Sequence, residues 1–212
     1  MTRLLLATRN RGKVRELLAL LGGESFKIVT LTDYPQLGDV DETGSTFEDN
    51  ARLKAKAAAT ATGEWSLGED SGLEVDALNG RPGIHSARYS GVHGDDAANN
   101  HKLMRELDGC EDRSARYVCA IALARPSGEI IATTRGVCEG HVGLEPRGQG
   151  GFGYDPYFIP EAMPHATAAE LEPAIKDALS HRGQALRAML SVLRMHLGAP
   201  PQAPADEAPT VR

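Results

Sequence analysis

The chain has 212 residues, enough for one substantial core and near the upper end for a single domain. With 41% hydrophobic and 25% charged residues it has the composition of a globular protein and lies far from that of disordered chains. A formal charge of −6 excludes a broad basic footprint for nucleic acid or anionic lipid, so an anionic ligand must be met by locally clustered cations.

In chain order, Leu4, Leu5, Leu6 and Ala7 form a short apolar run that reads as a strand buried on both faces. The run is too short for the core of a signal peptide, and nothing in the chain approaches the roughly 20 apolar residues of a membrane span. The expected setting is therefore cytoplasmic. Val14, Leu17, Leu18 and Leu21 recur at helical spacing, and Gly22-Gly23 supplies the stop. The polar string TRNRGK thus falls where a strand turns into a helix. A second strand is predicted over 27–31, and the polar stretch after it, carrying Asp39, Asp41 and Glu42, reads as a functional loop.

A long helix is expected over 46–62, where Ser45 and Glu48 form a capping box ahead of an alanine-rich run. Two strands, 65–68 and 73–78, are predicted to flank a turn at GEDSG. Residues 95–107 read as a helix. Strands at 116–124 and 129–139 are joined at Pro126-Ser127-Gly128 as a β-hairpin. GQGGFGYDP is too glycine-rich for regular structure, and Ser180 caps a last helix that buries Leu186, Met189, Leu190 and Leu193. Cys110, Cys119 and Cys138 are odd in number and lack C-x-x-C spacing, which argues for buried, inert thiols over disulfides or zinc. The proline- and alanine-rich stretch after Gly198 is expected to be disordered. The elements add up to a mixed α/β protein in which a cleft between two lobes is expected.

Four strings carry candidate chemistry. In Thr8-Arg9-Asn10-Arg11-Gly12-Lys13, free helix N-terminal amides, two polar side chains and a lysine outline a phosphate cradle, although the glycine spacing of a P-loop is absent. Asp41 and Glu42 in one loop, with Glu69 and Asp70 in another segment, offer the separated carboxylates that Mg²⁺ takes up beside phosphate oxygens. Neighbours on an extended chain point to opposite faces, so Glu69 and Asp70 are not expected to share the cleft. In Gly150-Gly151-Phe152-Gly153-Tyr154-Asp155, the glycines allow close backbone approach, the ring can stack on a base and Asp155 can accept from ring N–H groups. Finally, Lys176 and Ser180-His181-Arg182 place cations and donors at a helix start. A serine hydrolase is disfavoured, because adjacent Ser180 and His181 diverge and no G-x-S-x-G elbow occurs.

Each string is common alone; together and in this order they are not. TRNRGK, ETGSTFEDNARLKA, EDSGLEVDALNGRPGIHSARYSG, GFGYDP and SHRGQAL resemble the inosine/xanthosine triphosphate pyrophosphatase family over about residues 3–197. The resemblance implies an elongated two-lobed α/β fold with a mixed sheet and a central substrate cleft in residues 1–198, followed by a tail at 199–212. It also implies a homodimer that, with Mg²⁺, cuts ITP, dITP and XTP between the α and β phosphates. Thr8, Asn10 and Lys13, with Arg9, Arg11 and Gly12 in the same turn, would bind the triphosphate, assisted by Lys54 and Lys176. Glu42 and Asp70 would hold the ion, and Asp70 would also act as base, kept ionised by Mg²⁺ and nearby lysines. Ser71 would touch the substrate. Phe152, Gly153, Tyr154 and Asp155, with His181 and Arg182, would enclose the base. The chain departs from the family at Glu69, where aspartate is frequent, and in residues 161–166, which lack a usual lysine. Two rival readings share the scaffold: a pyrophosphatase for modified pyrimidine or methylated nucleotides, and a nucleotide-binding regulator without hydrolysis.

Overall fold

The computed structural model describes residues 2–38 and 40–198; Asp39 and the expected tail at 199–212 lie outside the described residues. Strand β1 (Arg3–Leu6) leads into helix α1 (Arg11–Leu20) and strand β2 (Lys27–Thr30). Helix α2 (Phe47–Thr62) is followed by strand β3 (Trp65–Val75), a 3₁₀ segment (Gly83–Arg88) and helix α3 (Asp96–Glu106). The long hairpin of β4 (Ser114–Ala124) and β5 (Ile130–Val142), strand β6 (Phe158–Pro160) and helices α4 (Pro173–Leu179) and α5 (His181–Leu197) complete the order. One mixed sheet runs β2-β1-β3-β4-β5-β6, parallel from β2 to β3 and antiparallel from β3 to β6. The α/β class and the mixed sheet are as the sequence predicts.

Strand alternation assigns each face its helices. Leu4 and Leu6 join Leu67, Ile121 and Leu123 under α1 and α5, packed on Leu17, Leu186 and Met189. Leu5 and Ala7 point the other way, to Val29 and Ala58. On that second face α2 covers Val118, Ala120 and Ala122 with Ala51, Ala55 and Ala59. A further core gathers the far halves of β3 and β4 with α3, around Leu73, Val75, Leu103 and Phe158. Each fully buried leucine in these clusters contributes about 1.5–3 kcal/mol.

Both covering helices press onto a glycine. A Cβ on Gly68 would lie 2.1 Å from the Ala51 carbonyl oxygen, and one on Gly136 would lie 2.1 Å from that of His181. This contact explains the main departure from the sequence reading. GEDSG is not a turn: β3 is continuous and pairs with β4 from Ser66 to Val75. Gly68 and Gly72 take no positive φ; they are small because α2 and the 3₁₀ segment lie directly over them. The cap of α2 also moves by one residue. Thr46 accepts from the Asp49 amide at 3.1 Å, while Ser45 reaches only the Asp49 carboxylate. Ser180 caps α5 through the Gly183 amide at 3.0 Å, as expected. Helix α4 had no periodic apolar signal and is absent from the sequence reading. Cys119 and Cys138 are buried free thiols, and Cys110 is half-buried.

Candidate functional site

The turn between β1 and α1 is fixed by its own side chains. Asn10 caps α1 by accepting from the Lys13 amide at 3.1 Å, and Thr8 Oγ1 accepts from the Asn10 amide at 3.2 Å. Arg9 donates to the Leu37 carbonyl, which ties the turn to the following loop. Thr8, Arg9, Asn10, Arg11, Gly12 and Lys13 all line one cleft of about 940 Å³. The amides of a first helical turn favour an anion, and Lys13 adds a full charge.

Beside this turn, Lys54 joins two carboxylates from different elements. Its Nζ lies 2.5 Å from Glu42 Oε1 and 2.8 Å from Asp70 Oδ1. Arg88, at the end of the 3₁₀ segment, donates to Glu42 Oε2 at 2.7 Å. Asn50, one turn before Lys54 on α2, donates to Asp70 Oδ2 at 3.3 Å and accepts from the Gly44 amide at 2.8 Å, so it fastens the Glu42 loop to β3. Burial opposes ionisation of Glu42, but Lys54 and Arg88 outweigh it and hold the carboxyl down to about 2. Asp70 goes the other way. Burial pushes its carboxyl above the ordinary range, and Lys13 and Lys54 act in the opposite, expected direction but offset burial only in part. Against the cost of burial, Asp70 and Glu42 raise Lys54, which is therefore firmly charged.

Glu69 occupies the opposite face of β3 and is 1% exposed. It meets Lys13 Nζ at 3.0 Å and Arg182 Nη2 at 3.2 Å, and accepts from Cys119 Sγ at 3.3 Å. Although fully buried, it is held below the ordinary carboxylate range by Lys13 and Arg182. The sequence reading of Glu69 and Asp70 as back-to-back neighbours is borne out.

A second cluster surrounds Phe152. Its amide donates to Asp155 Oδ2 at 2.8 Å, and Lys176 Nζ donates to the same oxygen at 2.7 Å. Lys176 also donates to Glu16 Oε1 at 2.7 Å. Its ammonium stands 5.3 Å from the Phe152 ring centroid and the Arg182 guanidinium 5.6 Å, within cation–π range. Gly12 has no side chain because the ring is there: a Cβ would meet it at 2.5 Å. Arg182 is 2% exposed and turns its terminal nitrogens to Glu16, Glu69 and Ser71, leaving Nε buried without a hydrogen-bond partner. His181 stacks on Tyr117 with centroids 4.7 Å apart. Burial first, and then the Arg182 charge, lower its pKa well below the ordinary value, so it is neutral at neutral pH. Tyr154 donates to the Ser86 carbonyl at 2.9 Å.

The residues that the resemblance assigns to substrate and ion all line this one cleft: the six of the first turn, Glu42, Lys54, Asp70, Ser71, Phe152, Gly153, Tyr154, Asp155, Lys176, His181 and Arg182. Glu69, Gly150, Gly151 and Ser180, also singled out from the sequence, do not line it. Lys176 sits with the Phe152 cluster, apart from Lys54. The sequence reading missed Glu16, Asn50, Arg88 and Tyr117. Asn50 was findable, being four residues before Lys54 and hence on the same helical face. Glu16 lies beside the apolar stripe of α1, but its partners come from α4 and α5, and no local pattern names them.

The Ham1 family model matches residues 4–192. A dITP/XTP pyrophosphatase of Exiguobacterium sp. is 53% identical over 185 residues, covering 87% of this chain and 93% of that protein. A dITP/XTP pyrophosphatase of Geobacter sulfurreducens is 50% identical over 201 residues, covering 93% and 98%. Among solved structures, a HAM1 protein from Coxiella burnetii superposes with a TM-score of 0.82 at 42% identity, covering 92% of this chain and all of that one. A nucleoside-triphosphatase/dITP/XTP pyrophosphatase from Mycobacterium abscessus gives 0.72 at 48% identity, covering 89% and 99%.

Proposed function

The chain belongs to the Ham1 family, and on that premise we propose that it hydrolyses ITP, dITP and XTP between the α and β phosphates, releasing pyrophosphate and keeping these bases out of DNA and RNA. The observation that carries the reading is Lys54 Nζ bound to both Glu42 and Asp70, beside a helix-capped turn and in one cleft with Phe152.

In this reading Thr8, Asn10 and Lys13, together with the α1 amides, take the triphosphate. Lys54 and Arg88 add charge next to it, which explains how an acidic protein binds a polyanion. The donor set fits Mg²⁺. Glu42 and Asp70 present only oxygen ligands and approach one point closely enough to share an ammonium. Two carboxylates, with phosphate oxygens and water, make up the octahedral shell that this ion prefers. When bound, the ion would offset phosphate charge and favour ionised Asp70. Asp70 would then orient and deprotonate the attacking water. Lys13 and Lys54 would stabilise the negative charge that builds on the departing pyrophosphate.

Phe152 would stack on the base. Neutral His181, the free Nε of Arg182 and loop amides are donors suited to the 6-keto oxygen of hypoxanthine or xanthine, and the amino group of adenine would leave them unpaired. Lys176, bound to Asp155 and Glu16, belongs with this base-facing group. A homodimer in the cytoplasm, with neither nucleic acid nor membrane as partner, completes the proposal. Among the described residues no helix is long and apolar enough to cross a membrane.

The test is pyrophosphate release from ITP, dITP, XTP, GTP, ATP and modified pyrimidine triphosphates, with and without Mg²⁺. Fastest turnover on anything outside the first three overturns the substrate assignment, and undiminished turnover without a divalent ion overturns the metal.

A further inference from the structure

One turn of α3 grips a single residue of the Phe152 loop from both sides. Asp96 Oδ2 accepts from the Gly153 amide at 2.7 Å, and Asn100 Nδ2 donates to the Gly153 carbonyl at 2.8 Å. The two side chains are four residues apart and so lie on one helical face. Asn100 also donates to the Asp96 backbone carbonyl at 2.9 Å, which holds its amide in line.

The loop needs such a grip. Gly148, Gly151 and Gly153 all take positive φ, and a chain so rich in glycine has many conformations of similar energy. Asp155, bound by Lys176, and Tyr154, bound to the Ser86 carbonyl, anchor the turn on the side after Gly153. The α3 contacts hold Gly153 itself, the residue next to Phe152. Helix α3 is itself anchored: Leu103 is fully buried, and Asn99 Oδ1 accepts from the Ser90 amide at 2.7 Å. Asp96 is exposed and Asn100 half-buried, so neither is part of the core whose loss would unfold the chain.

We infer that Asp96 and Asn100 are positioning residues for base recognition: by clamping Gly153 they set the place of the Phe152 ring, and hence the affinity for the base of the nucleotide and not for its phosphates. This rests on the nucleotide reading given above.

The experiment compares wild type, Asp96→Ala, Asn100→Ala and Asp96→Asn for hydrolysis of ITP, and measures inhibition by inorganic tripolyphosphate, which has no base. The two alanine variants are expected to raise KM for ITP roughly fivefold to tenfold, the worth of one hydrogen bond, with kcat within about twofold. The inhibition constant of tripolyphosphate stays at the wild-type value. Asp96→Asn keeps an acceptor for the Gly153 amide and restores KM. Unchanged KM in both alanine variants overturns the inference. So does a parallel rise in the tripolyphosphate constant, or an Asp96→Asn variant as impaired as Asp96→Ala, which would mean that the charge of Asp96 acts on the substrate directly. A wild-type enzyme that turns over none of ITP, dITP and XTP would instead sink the functional reading, and the clamp's role with it.

Discussion

Glu69 and Asp70 are adjacent on β3 and form their direct ion pairs with different lysines: Glu69 meets Lys13 at 3.0 Å on one face of the sheet, and Asp70 meets Lys54 at 2.8 Å on the other. The strand's alternation thus separates a carboxylate that faces the cleft from one buried behind it. The two should fail differently when neutralised.

For Asp70→Asn, the expected loss is in turnover. If this carboxylate acts on water in the transition state, kcat falls roughly 10²-fold or more while substrate binding is largely kept. Single-turnover rates with nucleotide affinity measured separately decide it; a variant that binds weakly yet turns over normally would place Asp70 in ground-state binding only.

Glu69→Gln should instead damage the fold. Removing one partner of a buried ionic group costs about 3–5 kcal/mol, and about 2–4 °C of melting temperature accompanies each kcal/mol in a chain of this size. A drop of roughly 10 °C in thermal melts is expected. Wild-type melting with lost activity would mean that Glu69 takes part in the chemistry.

Gly68→Ala tests the contact of α2 with β3. The new methyl would meet the Ala51 carbonyl at 2.1 Å and the Ala55 amide nitrogen at 2.5 Å. These are backbone atoms of a helix and cannot swing aside. A destabilisation of about 1–3 kcal/mol or more is expected in urea unfolding. A neutral result would show that α2 can ride higher on the sheet.

The buried imidazole of His181 gives a pH dependence of stability. Its folded pKa lies well below the ordinary value of 6.5. Between the two, the unfolded chain binds the extra proton, so stability is full above the unfolded pKa and is lost as pH falls below it. The slope approaches about 1.4 kcal/mol per pH unit for one group. Melting temperature should therefore decline as pH is lowered from 7.5 to 5.5, and His181→Gln should flatten that decline. Parallel curves for the two proteins would show that His181 protonates freely in the folded state.

Much of this was legible in the sequence because the signals were local. The apolar run at 4–7, the cap at Ser180 and the hairpin turn after Ala124 each act within a few residues. The strings flagged for phosphate, acid and aromatic chemistry all reached the same cleft. The failures came where a distant element decides. Gly68 and Gly72 look like turn residues until α2 and the 3₁₀ segment are known to lie on them. Arg182 looks like a free donor until Glu16, Glu69 and Ser71 are found around it. Whether burial or lysines govern Asp70 depends on a depth that no string of letters records.

The dependence of Glu16 on Lys176 and Arg182 has a consequence for biosynthesis. Both cations come from α4 and α5, at the far end of the chain from α1. In a chain emerging from the ribosome this acid lacks its counter-charges until α4 and α5 have been made. A product truncated before α5 would carry the cradle of the first turn but not Arg182, which ties Glu16 to Glu69 and Ser71.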